Sequence, residues 1–80
     1  MDPDESRRIV LEALLDVAPD IDEAQLDPQS SLRDSAELDS MDFVAFVAAL
    51  SETLGADIPE DDYGQLDSVA LATDYVVSRG

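Results

Sequence analysis

Eighty residues with an apolar fraction of 45% can bury one modest core and are too apolar for a disordered chain. Twenty acids stand against four bases, a formal net charge of −16, and from Asp34 to Ser78 eleven acids occur without a Lys or Arg. Such a surface repels phosphate backbones and anionic lipid, which argues against nucleic acid and membrane as partners, and it favours fast, salt-sensitive association with proteins that carry basic patches.

A first helix is predicted from Asp4 or Glu5 to Val17 or Ala18. Pro3 suits a position just before or inside its first turn, the two acids suit its positive end, and Pro19 ends it. Ile9, Val10, Ala13, Leu14 and Val17 recur at helical spacing and form its apolar face. The polar stretch PDIDEAQLDPQSSLRDSAE then reads as a long loop pinned to the core by Ile21, Leu26 and Leu32, with a turn of helix at Asp22–Gln25. So long a loop in so short a chain points to a functional segment.

A second main helix is predicted from Asp39 or Ser40 to about Leu54, with Gly55 as its stop. Phe43, Phe46, Val47, Leu50 and Leu54 line its inner side. Met41, Val44, Ala45 and Ala48 make the adjoining side apolar as well, more than burial in a small bundle requires. The connector ADIPEDDYGQLDS is expected to hold a short helical turn over Glu60–Tyr63, stopped by Gly64. The last helix is predicted over Ser68–Ser78, capped by Asp67 or Ser68, with Val69, Ala72, Tyr75 and Val76 facing in.

No stretch alternates with period two, so no sheet is expected. The fold class is all-α, one domain over residues 1–80, with three main helices, one short helix and a long first loop. The opening MDPDESRR has acids where a signal peptide has bases, and no apolar run approaches membrane-spanning length. A cytoplasmic protein is the expectation.

The chain lacks Cys and His, so disulfides, soft metal ligands and the commonest catalytic base are absent. All four bases are arginines, Arg7, Arg8, Arg33 and Arg79, which leaves no lysine to activate a serine. The acidic stretches DIDEAQLDPQSS and DDYGQLDSV lack the alternation, central Gly and closing Glu of a calcium loop, so no metal site is expected. Intrinsic enzyme activity is not expected either.

One hydroxyl stands out. In ELDSMDFVAF, Ser40 lies between Asp39 and Asp42 at the start of an apolar helix. Asp39 or Ser40 can simply cap that helix, with Asp42 set against its dipole. Alternatively Ser40 is exposed after the loop, where helix-terminal amides favour an attached phosphate and Met41, Phe43 and Val44 flank whatever is attached.

Beyond these residues, LDSMDFVAFVAAL resembles the motif of the acyl carrier proteins in which Asp-Ser-Leu (or Met) carries a modified serine. LLDVAP, LDPQSSLRDSAELDS, LGADIPEDDY and SVALATDYV follow in that family's order and spacing, so the resemblance covers essentially the whole chain. It implies a four-helix bundle in which Ser40 receives phosphopantetheine from coenzyme A and carries acyl groups as thioesters on that arm. Asp39, Met41 and Asp42 would then serve recognition by the phosphopantetheinyl transferase, with Met41 in the place of the usual Leu. The missing protein thiol fits a cargo held on the arm's own thiol.

Two features depart from the pattern. Ala36-Glu37 stand where Leu-Gly often precedes the serine, and Ala45, Ala48 and Ser51 stand on a face where acids are common. Docking is therefore expected to lean on Met41, Val44, Ala45 and Ala48, with Glu52 among the few acids left, and the pathway to be a dedicated or secondary one. The implied protein is a stand-alone monomeric carrier serving acyl-transferring, condensing or ligase enzymes of fatty-acid, polyketide or specialised lipid synthesis. A peptidyl or aminoacyl carrier, or an acidic interaction module in which Ser40 only caps, are the alternatives.

Overall fold

Asp2 starts the first helix, α1 (Pro3–Val17): its carboxylate accepts the Asp4 N–H at 3.2 Å. Pro3 takes the first helical position, where no donor is needed, and Asp4 and Glu5 sit in the positive first turn. The helix thus begins one residue before Asp4, because the cap is Asp2. The computed structural model describes residues 2–22, 24, 26–35 and 38–79, the side chains of residues 33 and 35 excepted. The turn expected at Asp22–Gln25 falls partly, and the Ala36-Glu37 departure wholly, outside the described residues.

The long loop contains an element that periodicity did not reveal, a single turn α2 (Leu32–Ser35), whose start is closed by Ser31 Oγ accepting from the Asp34 N–H at 3.3 Å. α3 (Ser40–Leu54) ends where expected. Gly55 adopts φ 67°, a left-handed conformation that glycine tolerates without strain, and its N–H returns to the Glu52 carbonyl while Ala56 N–H reaches Ser51. The connector forms a 3-10 segment over Glu60–Leu66. It runs through Gly64 rather than stopping there, since Gly64 has no positive φ and Leu66 is drawn fully into the core. α4 (Val69–Arg79) is capped by Ser68, whose Oγ accepts from the Leu71 N–H at 3.1 Å.

The architecture is all-α. Among the described residues no strand forms, and one isolated antiparallel bridge joins Ser31 to Ser68. α1 packs against both α3 and α4, and the 3-10 segment packs on α4. Their shared core centres on Val10, Leu14, Phe46, Leu50, Leu66 and Val76, all with no exposed surface. Each such side chain contributes roughly 1.5–3 kcal/mol relative to exposure. Leu32 is buried as a peg from the loop, with Ile21 and Leu26 half-buried beside it.

Candidate functional site

The region around Ser40 is built from the segment before it. Leu38 is buried, and its N–H meets the Leu32 carbonyl at 3.4 Å, so the chain enters α3 from a fixed point. Asp39 is extended, and its Oδ1 accepts the Asp42 N–H at 2.8 Å. Capping is therefore done by Asp39. Ser40 is the first residue of the helix and is exposed, and its hydroxyl has no hydrogen-bond partner among the described residues. The acid on one side of the serine frees the serine from structural duty.

The other serines with described side chains are differently placed. Ser6 and Ser68 are buried, Ser30 Oγ donates to Asp27, and Ser51 Oγ donates to the Ala56 carbonyl at 2.6 Å. Ser78 is exposed near the end of α4.

From Ser40 the outer face of α3 runs through Met41, 81% exposed, Val44, 52% exposed, and then Ala45, Ala48 and Glu52, all exposed; Asp42 is half-buried. On the other side of Ser40, α3 meets the 3-10 segment across an open groove of about 370 Å³. Ser40, Phe43 and Val44 line it from α3, and Glu60, Tyr63, Gly64 and Asp67 line it from the other wall. Phe43 and Tyr63 meet edge to face with ring centroids 6.2 Å apart, and Phe43 leans on Phe46 behind it at 6.3 Å.

The wall carrying Tyr63 is held to α4 by one carboxylate oxygen. Asp62 Oδ2 accepts from Tyr75 Oη at 2.7 Å and pairs with Arg79 at 2.8 Å, and the Arg79 guanidinium lies 4.8 Å from the Tyr75 ring centroid. Burial, then the hydrogen bond to Asp62, pushes the Tyr75 phenol above its ordinary value. Among the described residues no group of carboxylates is arranged to hold a metal, and no helix is long and apolar enough to cross a membrane.

Sequence reasoning placed Asp39, Ser40, Met41 and Val44 together on one helix, and the structure keeps them at one end of α3. It missed the second wall of the groove, and with it Tyr63, Gly64 and Asp62. The weak signal was there: an isolated Leu66 inside a polar connector must be buried somewhere, and burying it folds EDDYGQL back against the bundle.

The family described as a phosphopantetheine attachment site matches residues 8–76. An acyl carrier protein of Rubrobacter xylanophilus is 32% identical over 76 residues, covering 91% of this chain and 94% of that protein. One from Lactobacillus johnsonii is 36% identical over 59 residues, 74% of each chain. The mitochondrial acyl carrier protein 2 of Arabidopsis thaliana is 33% identical over 59 residues, 74% of this chain and 47% of that protein. With the match running from Arg8 to Val76, through every helix of the bundle, the chain belongs to the acyl carrier protein family.

Proposed function

We propose that Ser40 is the residue to which phosphopantetheine, the cofactor of this family, is attached, and that α3 is the face offered to partner enzymes. The observation that carries the reading is the free, exposed Ser40 hydroxyl beside an aspartate that has already capped the helix. The residues fit the group. An ester at Ser40 Oγ breaks no hydrogen bond of the described residues, has solvent on one side and the groove on the other, and stands at the helix end whose first amides lack intrahelical partners.

When bound, the arm supplies a thiol that holds acyl groups as thioesters. The chain's own residues present it. Asp39 fixes the first turn of α3, so the Ser40 backbone is held in place while its hydroxyl stays exposed for a transferase. There the oxygen becomes part of a phosphodiester, the serine proton is lost to the transferase's base, and the nucleotide half of coenzyme A leaves. Asp39, Met41 and Asp42 form the local surface that such an enzyme meets. Met41, Val44, Ala45 and Ala48 then offer apolar contact to acyl-transferring, condensing or ligase enzymes, while Glu52 and the surrounding acids steer basic patches. Holding cargo on one carrier raises its effective concentration at each enzyme visited.

Intact mass and peptide mapping after incubation with coenzyme A, magnesium and a phosphopantetheinyl transferase test the assignment. One arm's mass is expected on Ser40 and none on Ser40→Ala. An Ala variant that still gains the mass refutes it.

A further inference from the structure

We propose that Met41 is a reversible oxidation site: an uncharged peroxide converts its thioether to a sulfoxide, which weakens docking at the Ser40 end of α3 and leaves the fold intact. The inference rests on Ser40 as the attachment point and on α3 as the docking face, and deepens that reading. Met41 is 81% exposed, the most exposed of the large apolar side chains among the described residues. Its sulfur is therefore open to a dissolved oxidant. The sequence has no cysteine and two methionines, Met1 and Met41, so no thiol of the polypeptide reacts first.

The position of Met41 separates binding from folding. It lies outside the core cluster, and the helix is capped by Asp39 beside it. Its sulfur makes no hydrogen bond among the described residues, so an added oxygen is solvated and displaces nothing. In a docked complex the same oxygen is costly. Along the exposed stripe Met41, Val44, Ala45 and Ala48, Met41 is the one long side chain, and the two alanines add little reach. A thioether is polarizable and adapts to different apolar surfaces. A sulfoxide carries a polar oxygen into that contact, where a group without a hydrogen-bond partner opposes burial.

Charge selects the oxidant. Asp39 and Asp42 flank the Ser40–Met41 pair in a chain of net charge −16. That field repels anionic oxidants and does not act on an uncharged peroxide. With hydrogen peroxide the thioether sulfur gives a lone pair to one oxygen. The O–O bond breaks, an S–O bond forms, and the second oxygen leaves as water. Sulfur loses the two electrons that the peroxide gains. A dithiol reductant reverses the change: it supplies two electrons and two protons, the sulfoxide oxygen leaves as water, and the dithiol becomes a disulfide.

Treatment of the chain with hydrogen peroxide, followed by removal of the peroxide, tests this. Peptide mapping is expected to place an oxygen on Met41. A Met41 that stays unoxidised under conditions that convert free methionine overturns the site. Loading from coenzyme A by the transferase, read by intact mass, is then compared before and after treatment. Failure of untreated wild type to load overturns the Ser40 reading, and this inference with it. In treated wild type the KM for the carrier is expected to rise at least about fivefold, the lower end for losing one interface anchor, with kcat little changed because the reacting oxygen is untouched. The two methionine sulfoxide reductases, one for each sulfoxide epimer, are expected to restore the KM in the presence of a dithiol. Met41→Leu, which keeps Met1, is expected to show one KM before and after treatment, and untreated Met41→Gln to show a raised one. An unchanged KM in wild type oxidised at Met41 overturns the proposal, as does a peroxide effect that persists in Met41→Leu. A loss of helical circular dichroism on oxidation overturns it too, by placing the effect in the fold.

Discussion

α1 and α3 are each fifteen residues long and each begins on an aspartate cap, yet their outer faces are opposites. Beyond Pro3, every exposed residue of α1 is charged: Asp4, Glu5, Arg7, Arg8, Glu12 and Asp16. The exposed residues of α3 are Ser40, Met41, Val44, Ala45, Ala48, Glu52 and Thr53, and the majority are apolar. The inner faces are alike and account for the fold. The outer face of α1 is what water alone selects, and that of α3 carries more exposed apolar surface than water selects, as the proposed docking role requires. On the proposed reading, one helix is scaffold and the other is scaffold and contact surface at once.

Phe46 has no exposed surface where α3 enters the core, and Phe46→Ala is expected to cost about 3–5 kcal/mol by urea denaturation, a large part of the ~5–15 kcal/mol typical of a small domain. Met41→Ala and Val44→Asp, on the outer face of the same helix, are expected to change stability by no more than about 0.5 kcal/mol. Their effect belongs in binding. Each is expected to weaken transfer with a partner enzyme by about 1–4 kcal/mol, read from the concentration dependence of the rate. Glu12→Ala on the outer face of α1 is the control and is expected to leave transfer unchanged. A stability loss in Val44→Asp comparable to that of Phe46→Ala would move Val44 into the core and erase the difference between the helices.

What was legible in the sequence follows the same division. Apolar residues at helical spacing gave α3 and α4 nearly to the residue, because their ends carry strong local chemistry, Asp39, Gly55 and Ser68. On α1 the inward set was drawn too narrow. Leu11 and Ser6 are buried as well, since this helix packs against two others and is covered over a wider arc. Leu38 and Leu66 were invisible to periodicity, being single apolar residues in polar segments whose burial is decided by distant partners. The serine of the candidate site was legible from its motif. The groove beside it was not, because its two walls come from separate parts of the chain.

A smaller effect is expected at Tyr75. Burial and the hydrogen bond to Asp62 raise the pKa of the Tyr75 phenol above its ordinary value, so the folded state holds that proton more tightly than the unfolded chain does. The stabilisation is complete below pH ~10 and declines as the pH rises through the folded value. Tyr75→Phe is expected to cost about 0.5–3 kcal/mol at neutral pH, the range spanned by neutral and charged hydrogen bonds, and to flatten the alkaline limb of the stability curve. A wild-type curve that is already flat there would contradict the raised phenol.

The smallest change is expected at the least usual residue of α1. Ser6 is wholly buried and its Oγ has no partner among the described residues. Replacing an unsatisfied hydroxyl by hydrogen removes a desolvation cost along with a few contacts. Ser6→Ala is expected to leave stability unchanged or raise it by up to about 1 kcal/mol, and a clear loss in thermal denaturation would show that the hydroxyl is bonded.

The stitching of the long loop to α4 has a consequence for how the molecule opens. The Leu32 N–H reaches the Asp67 carbonyl at 2.7 Å, and the Ala70 N–H, in the first turn of α4, reaches the Pro28 carbonyl at 2.9 Å. The loop thus completes the capping of a helix far from it in sequence, and the two are one cooperative unit. Detaching the Pro28–Leu32 stretch exposes both amides to solvent together, while the α1–α3 packing can stay closed. In native-state hydrogen exchange, Leu32 and Ala70 should report one shared opening of lower free energy than that of Phe46 or Leu50. This protein would then have a partly unzipped form, with an intact hydrophobic centre and a loosened entry to α3, lying below the barrier to global unfolding.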